Sequence, residues 1–306
     1  MRCVAAILTL TISLFFVPLS GAQAPVNSVS FTFTPIDVPG AGFTIVTGIN
    51  KAGDMVGVYG QDINADNHGF LYSNGIFTFF DYPGMAVTSP GGINDSGMIS
   101  GFASQIPSQR TSAIGFVYDG TSFATLKNSK YAILYCRGIN NAGTVVGAAG
   151  QTIYATKGFQ TRGGNYMPVR FPGQYNYASA EGINSSGAIV GYTASGIYDN
   201  GYIYRNGIFQ SIQFPGASVT AAWSINDNGV VVGWYSIPYQ CLYCGFAYSS
   251  GKYVSFSYPG AEGTFASGIN ANGIIVGSYT MADGTYHGFV TSAISVVEFD
   301  DEGGVN

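Results

Sequence analysis

The segment Gly-Ile-Asn-x-x-Gly-x-(Ile/Val)-Val-Gly, or a close variant of it, returns six times along this 306-residue chain. Its asparagines are Asn50, Asn94, Asn140, Asn184, Asn226 and Asn270, spaced by 44, 46, 44, 42 and 44 residues. A unit of this length cannot bury a core alone and must stack on its neighbours. When it is filled with short strands, it matches one four-stranded propeller blade of about 40–50 residues. The spacing therefore predicts an all-β fold, a six-bladed β-propeller of four-stranded antiparallel blades.

The first unit shows why the segments read as strands. Thr44–Asn50 is rich in β-branched residues, Lys51-Ala52-Gly53 is a turn, and Asp54–Tyr59 is a return strand. His68–Tyr72 and Ile76–Asp81 make a second pair around the turn Ser73-Asn74-Gly75. This is the composition of an antiparallel meander. No apolar period of 3.6 extends over helix length outside the first residues of the chain. In each Asn-x-x-Gly, the Asn side chain can bond an amide two residues on, and Gly supplies the positive φ that closes a hairpin. That chemistry accounts for all six asparagines without a catalytic role. The Tyr/Phe-Pro-Gly corners at Tyr82, Phe171, Phe214 and Tyr258 turn strand four into the next strand one. Pro35 and Pro168 fall in fourth strands, which places those strands at the outer edge, because proline lacks the ladder donor. The small residues before Ile-Asn place strand one near the axis.

A second element follows in each unit, at His68-Gly69-Phe70, Ile114-Gly115-Phe116, Lys157-Gly158-Phe159, Asn200-Gly201-Tyr202, Cys244-Gly245-Phe246 and His287-Gly288-Phe289. Together the two elements resemble the HAF-type extracellular repeat family of bacterial secreted proteins, although only two of six units keep the histidine. The resemblance covers nearly the whole mature chain. It implies a secreted propeller-like protein and carries over no catalytic residues.

The chain ends agree with export. Met1-Arg2, an apolar run from Cys3 to Leu19 and the small residues Ser20–Ala24 have the layout of a secretory signal peptide, with cleavage expected after Ala22. Residues 1–22 are thus read as leader and 23–306 as one propeller domain, secreted or periplasmic. The mature chain contains no run long enough to span a membrane. Loss of Arg2 leaves ten of the 11 basic residues against 16 acidic ones, with no basic cluster, which argues against nucleic acid as a partner. A monomer is expected.

Length varies between strands two and three. From the repeat Asn to the third-strand Gly there are 19, 21, 18, 17, 19 and 18 residues, whereas from that Gly to the next Asn there are always 25 or 26. The variable loops and the four-to-one connections share one face, and loops on a rigid scaffold are where binding chemistry sits. Three residues before the Asn stand Thr47, Gly91, Arg137, Glu181, Trp223 and Ser267; five before it stand Ile45, Ser89, Tyr135, Ser179, Ala221 and Phe265. Arg137, Glu181 and Trp223 mark a candidate ligand site on the inner rim, with Tyr135, Tyr177 and Phe265 as its expected aromatic walls. A charge pair beside aromatics suits a sugar; it also suits a structural ion pair.

Three other groups bear ligating or reactive side chains. Cys241 and Cys244 suit a local disulfide in an exported protein, leaving Cys136 as a buried odd thiol. Asp62-x-Asn64-x-Asp66 has calcium-loop spacing but lacks the glycine and the closing acid. His68 and His287 stand at equivalent positions in the first and last units, too far apart to share a metal. No metal or cofactor is expected. Phe31–Gly40 and Ile294–Phe299 both read as fourth strands for the last blade. The N-terminal one is expected to close the ring, with the C-terminal one alongside or displaced. Most carboxylates belong to turns, and no nucleophile or acid–base constellation stands out. The reading is a non-enzymatic binding module for an extracellular glycan or surface protein. The alternatives are a hydrolase of glycans or lactones, which would need two or more acids on the axis, and a purely structural surface protein.

Overall fold

A computed structural model describes residues 26–28, 31–65, 67–105, 112–162, 164–171, 177–195 and 198–293. The expected leader, Asp66, the corner Pro172-Gly173 and the segment expected to form a C-terminal strand, Ile294–Phe299, lie outside the described residues. The described residues hold no helix, and the strands fall into four-stranded antiparallel units: three are separate sheets, and three more are linked by the single parallel pairings Asp199–Val219 and Tyr243–Gly263 into one larger sheet.

Blade one is Phe43–Ile49, Met55–Gly60, His68–Ser73 and Ile76–Phe80, paired in that order. Blade three repeats it as Ile133–Ile139, Val145–Gly150, Thr156–Arg162 and Asn165–Pro168. In blade six the chain supplies Gly263–Ile269, Ile275–Thr280 and Tyr286–Thr291. Its fourth strand is Phe33–Ile36, antiparallel to Tyr286–Thr291. The N-terminal segment therefore closes the ring. Val26–Ser28 goes further and pairs in parallel with the outer strand of blade five, so the two segments clasp adjacent blades. Pro35 and Pro168 occupy outer edges, where no ladder partner needs their missing N–H.

The second repeat element is core. Phe70, Phe116, Phe246 and Phe289 are fully buried, and Phe159 and Tyr202 nearly so. Each aromatic contributes roughly 1.5–3 kcal/mol by burial. The ring lies over the strand-two glycine of its own blade, where any side chain would collide. A Cβ at Gly147 would stand 1.8 Å from the Tyr135 carbonyl and 3.0 Å from the Phe159 ring. Cys136 is buried in the same blade, and burial pushes its thiol up to about 12, so it stays a neutral apolar filler. Cys241 and Cys244 are joined, with Cα atoms 6.0 Å apart.

The six asparagines do more than turn the chain. Each Oδ1 accepts from the amide four residues on, at 2.9–3.0 Å. Each Nδ2 then donates to the backbone carbonyl of the next blade's asparagine. Asn94, Asn140, Asn184 and Asn226 do so at 3.0–3.1 Å and Asn50 at 3.5 Å. Asn270 completes the circle by donating to the Asn50 carbonyl at 3.0 Å. The turn reading accounts for Oδ1; the circular chain of Nδ2 bonds has no signature within a single repeat.

Candidate functional site: the axial funnel

Strand one carries the same irregularity in every blade. The pairing with strand two shifts register between the residues four and two before the asparagine, as between Cys136 and Gly138 or between Ala222 and Ser224. The residue left over is the one three before the asparagine: Thr47, Gly91, Arg137, Glu181, Trp223 or Ser267. A bulge frees its extra residue from the ladder and re-aims the side chain. Here all six line a funnel on the axis, at the face of the two-to-three loops.

The funnel is lopsided. Blades three, four and five place the large residues Arg137, Glu181 and Trp223 at the bulge, whereas blades six, one and two place Ser267, Thr47 and Gly91. Gly91 is forced, since a Cβ there would lie 2.4 Å from the Arg137 carbonyl. The empty side forms a cavity of about 320 Å³ walled by Phe43, Ile45, Val58, Ile63, Pro90 and Phe102, with Tyr192 contributing from blade four. Below the bulges the channel narrows to about 90 Å³, and beside the asparagine ring to about 70 Å³.

Arg137 and Glu181 meet, with Nε 3.5 Å from Oε2 and the Glu181 side chain only 10 % exposed. The Arg137 guanidinium lies over both Phe102 and Tyr135, 5.4 and 5.3 Å from the ring centroids. Each such contact is worth roughly 0.5–2 kcal/mol, so the cation is held before any ligand arrives. Burial alone would lower the Arg137 pKa, but the Glu181 carboxylate and nearby phenols outweigh it and the net shift is upward. Tyr192 donates to the Tyr177 hydroxyl at 3.3 Å, and burial, with Glu181 beside it, raises its pKa strongly. It is a neutral phenol at any physiological pH. Four residues lining the funnel carry a buried polar atom with no hydrogen-bond partner within the protein: Trp223 Nε1, Asn67 Oδ1, Ser267 Oγ and Arg137 Nε, whose 3.5 Å approach to Glu181 is an ion pair without a hydrogen bond. Native interiors pair almost all such groups, which makes four at one cavity informative.

The sequence-predicted residues divide. Arg137, Glu181 and Trp223 come together in the funnel. The three expected walls do not line it. Tyr135 lies beneath the Arg137 guanidinium, and Tyr177 stands behind Tyr192. Phe265 packs instead with Trp234 and Tyr243, ring centroids 5.9 and 5.2 Å away. The walls that sequence reasoning missed include Val58, Phe102 and Tyr192, each eight residues after its repeat asparagine. That position reads Val58, Phe102, Ala148, Tyr192, Trp234 and Ser278 around the ring. Its variability directly after the constant glycine of strand two was the available signal.

The two histidines each pair with the carboxylate before a Pro-Gly corner: His68 with Asp81 at 2.8 Å and His287 with Asp37 at 3.1 Å. Among the described residues, no group of three or more His, Cys, Asp or Glu side chains is placed to hold a metal. Asp62 caps the amide of Asn64 at 2.9 Å.

No protein-family model matches the chain, and no curated protein matches its sequence. Solved structures match its fold. A mutant of the Aleuria aurantia lectin, in complex with Fucα1-6GlcNAc, aligns at a TM-score of 0.53 and 10% identity, covering 87% of this chain and 100% of the lectin. The β-propeller domain of the Trilobed protease from Pyrococcus furiosus, which has an open velcro topology, aligns at 0.51 and 12% identity over 87% and 99% of the two chains. TolB from Acinetobacter baumannii aligns at 0.51 and 11% identity, over 81% of this chain and 63% of TolB. At such identities the likeness establishes the fold alone: this chain is a β-propeller.

Proposed function

We propose that the chain is a secreted, non-enzymatic propeller of the HAF repeat type that binds a glycan in the axial funnel. One observation carries the reading. The funnel joins apolar walls to four residues whose buried polar atoms have no hydrogen-bond partner inside the protein, which is the make-up of a ligand pocket, and its volume lies near the lower end of the roughly 300–1,000 Å³ usual for one. Hydrolysis of a glycoside ordinarily needs two carboxylates across the scissile bond. Glu181 is the one acid among the described residues lining the funnel, and Arg137 holds it as an ion pair. The lectin among the fold neighbours shows that a propeller can present a sugar site, and at 10% identity it lends no residue to this one.

The test is a calorimetric and glycan-array screen of the mature protein beside an Arg137→Ala, Trp223→Ala double variant checked for folding by circular dichroism. The wild type is expected to bind and the double variant to lose at least about tenfold in affinity, as when a buried polar anchor is removed. Equal binding by both would move the site elsewhere. Turnover of chromogenic glycosides or lactones by the wild type would replace the binding module with a hydrolase.

A further inference from the structure

The funnel's chemistry narrows what can enter it, provided the binding reading above holds. We infer that it accepts one neutral pyranose ring, taken at the end of a glycan rather than within its chain.

Charge is the first argument. Among the described residues lining the cavity, Arg137 and Glu181 are the charged ones, and paired at 3.5 Å they cancel. A uronic acid or an amino sugar would have to shed water from a full charge and find no net opposite charge in return. A neutral ring avoids that cost. It can still use the pair, because the guanidinium donates to a hydroxyl oxygen while the carboxylate accepts from a neighbouring hydroxyl.

The unpartnered atoms point the same way. Trp223 Nε1 only donates, Asn67 Oδ1 only accepts, and Ser267 Oγ does either. A carboxylate can meet only the donors and an ammonium only the acceptors, so a charged substituent serves this mixed set less well than a hydroxyl in the same place. Hydroxyl groups do both. The aliphatic wall of Ile45, Val58 and Pro90 suits the C–H face of a sugar ring.

End-on entry follows from the closed floor. Below the bulges the blades meet at glycines: a Cβ on Gly48 would stand 3.0 Å from the Cα of Gly92, and one on Gly138 2.9 Å from the Glu181 carbonyl. The channel there shrinks to about 90 Å³ and the asparagine ring lies beyond it. A polysaccharide cannot thread this axis, so only a terminus reaches the pocket.

The experiment is calorimetry with methyl glycosides of glucose, galactose and mannose, with glucuronic and galacturonic acids, and with glucosamine and galactosamine. At least one neutral glycoside is expected to bind about tenfold or more tighter than its charged counterparts, the scale of discrimination a buried unpaired charge imposes. Glu181→Gln leaves Arg137 uncompensated and should turn the preference toward uronic acids. Trp223→Phe keeps the ring, loses the N–H and should weaken the neutral sugar severalfold, which serves if the first variant does not fold. Titration with soluble homopolymers of the best neutral sugar should give a protein-to-chain ratio that does not rise with chain length. A uronic acid or amino sugar that binds as tightly as its neutral counterpart overturns the neutral assignment and leaves the binding module standing. A ratio that climbs with chain length overturns end-on entry. If no sugar binds, both this inference and the glycan reading fall.

Discussion

The two ends of the propeller axis are built from the same strand in the same six blades, yet they behave oppositely. At the turn end, six asparagines do one job six times, each holding its own hairpin and reaching the next blade's carbonyl. At the mouth, three residues earlier on that strand, six different side chains face one another, ranging from Gly91 to Trp223. The backbone explains the contrast. An asparagine at the turn end is a link in a closed hydrogen-bonded circle, so a change in one blade strands the amide that its Oδ1 holds and removes the link to the next blade's carbonyl. The bulge residue has been released from the ladder, so changing it disturbs no strand pairing. Uniformity marks the parts that hold the ring together, and variety marks the part that strand pairing leaves free.

The comparison can be broken in three places. The largest effect is expected from Gly147→Ala in the framework. Its Cβ would fall 1.8 Å from a backbone carbonyl that cannot move without breaking the blade. Loss of roughly 3 kcal/mol or more, or failure to recover folded protein, is expected, and urea unfolding followed by fluorescence measures it. Asn140→Ala comes next. It removes two amide contacts to Oδ1 and the donor to the Asn184 carbonyl, and stranding buried groups should cost about 2–4 kcal/mol. An unfolding midpoint unchanged from wild type would show the ring to be ornamental. The smallest effect belongs to the mouth. Tyr192→Phe loses the bond to Tyr177, and at 3.3 Å that is worth less than about 1 kcal/mol. If Tyr192→Phe destabilises as much as Asn140→Ala, the mouth is framework too and the division between the two ends collapses.

Much of this was legible in the chain before any coordinates. The 44-residue period and the β-branched runs gave the strands, because side-chain alternation and turn chemistry are local properties. Pro35 and Pro168 marked the outer edges for the same reason, and Arg137, Glu181 and Trp223 stood out as departures from a repeat. The pocket walls were not legible. Counting by twos along strand one puts the residues three and five before the asparagine on one face, and the bulge between them spoils that count. Tyr135 and Phe265 consequently pack against Phe102 and Trp234 of the preceding blade.

The sequence by itself determined the kind of blade and its period, since each repeat encodes its own strands and turns. Only the tertiary structure decided how the blades lean on one another. It joined the asparagines into a circle and used Phe33–Ile36 to finish blade six. It also set small residues beside large ones so that the axis opens on one side. Those outcomes depend on contacts between blades, and whether a side chain fills a gap or lines it depends on the residue facing it some forty positions away, which no single repeat specifies.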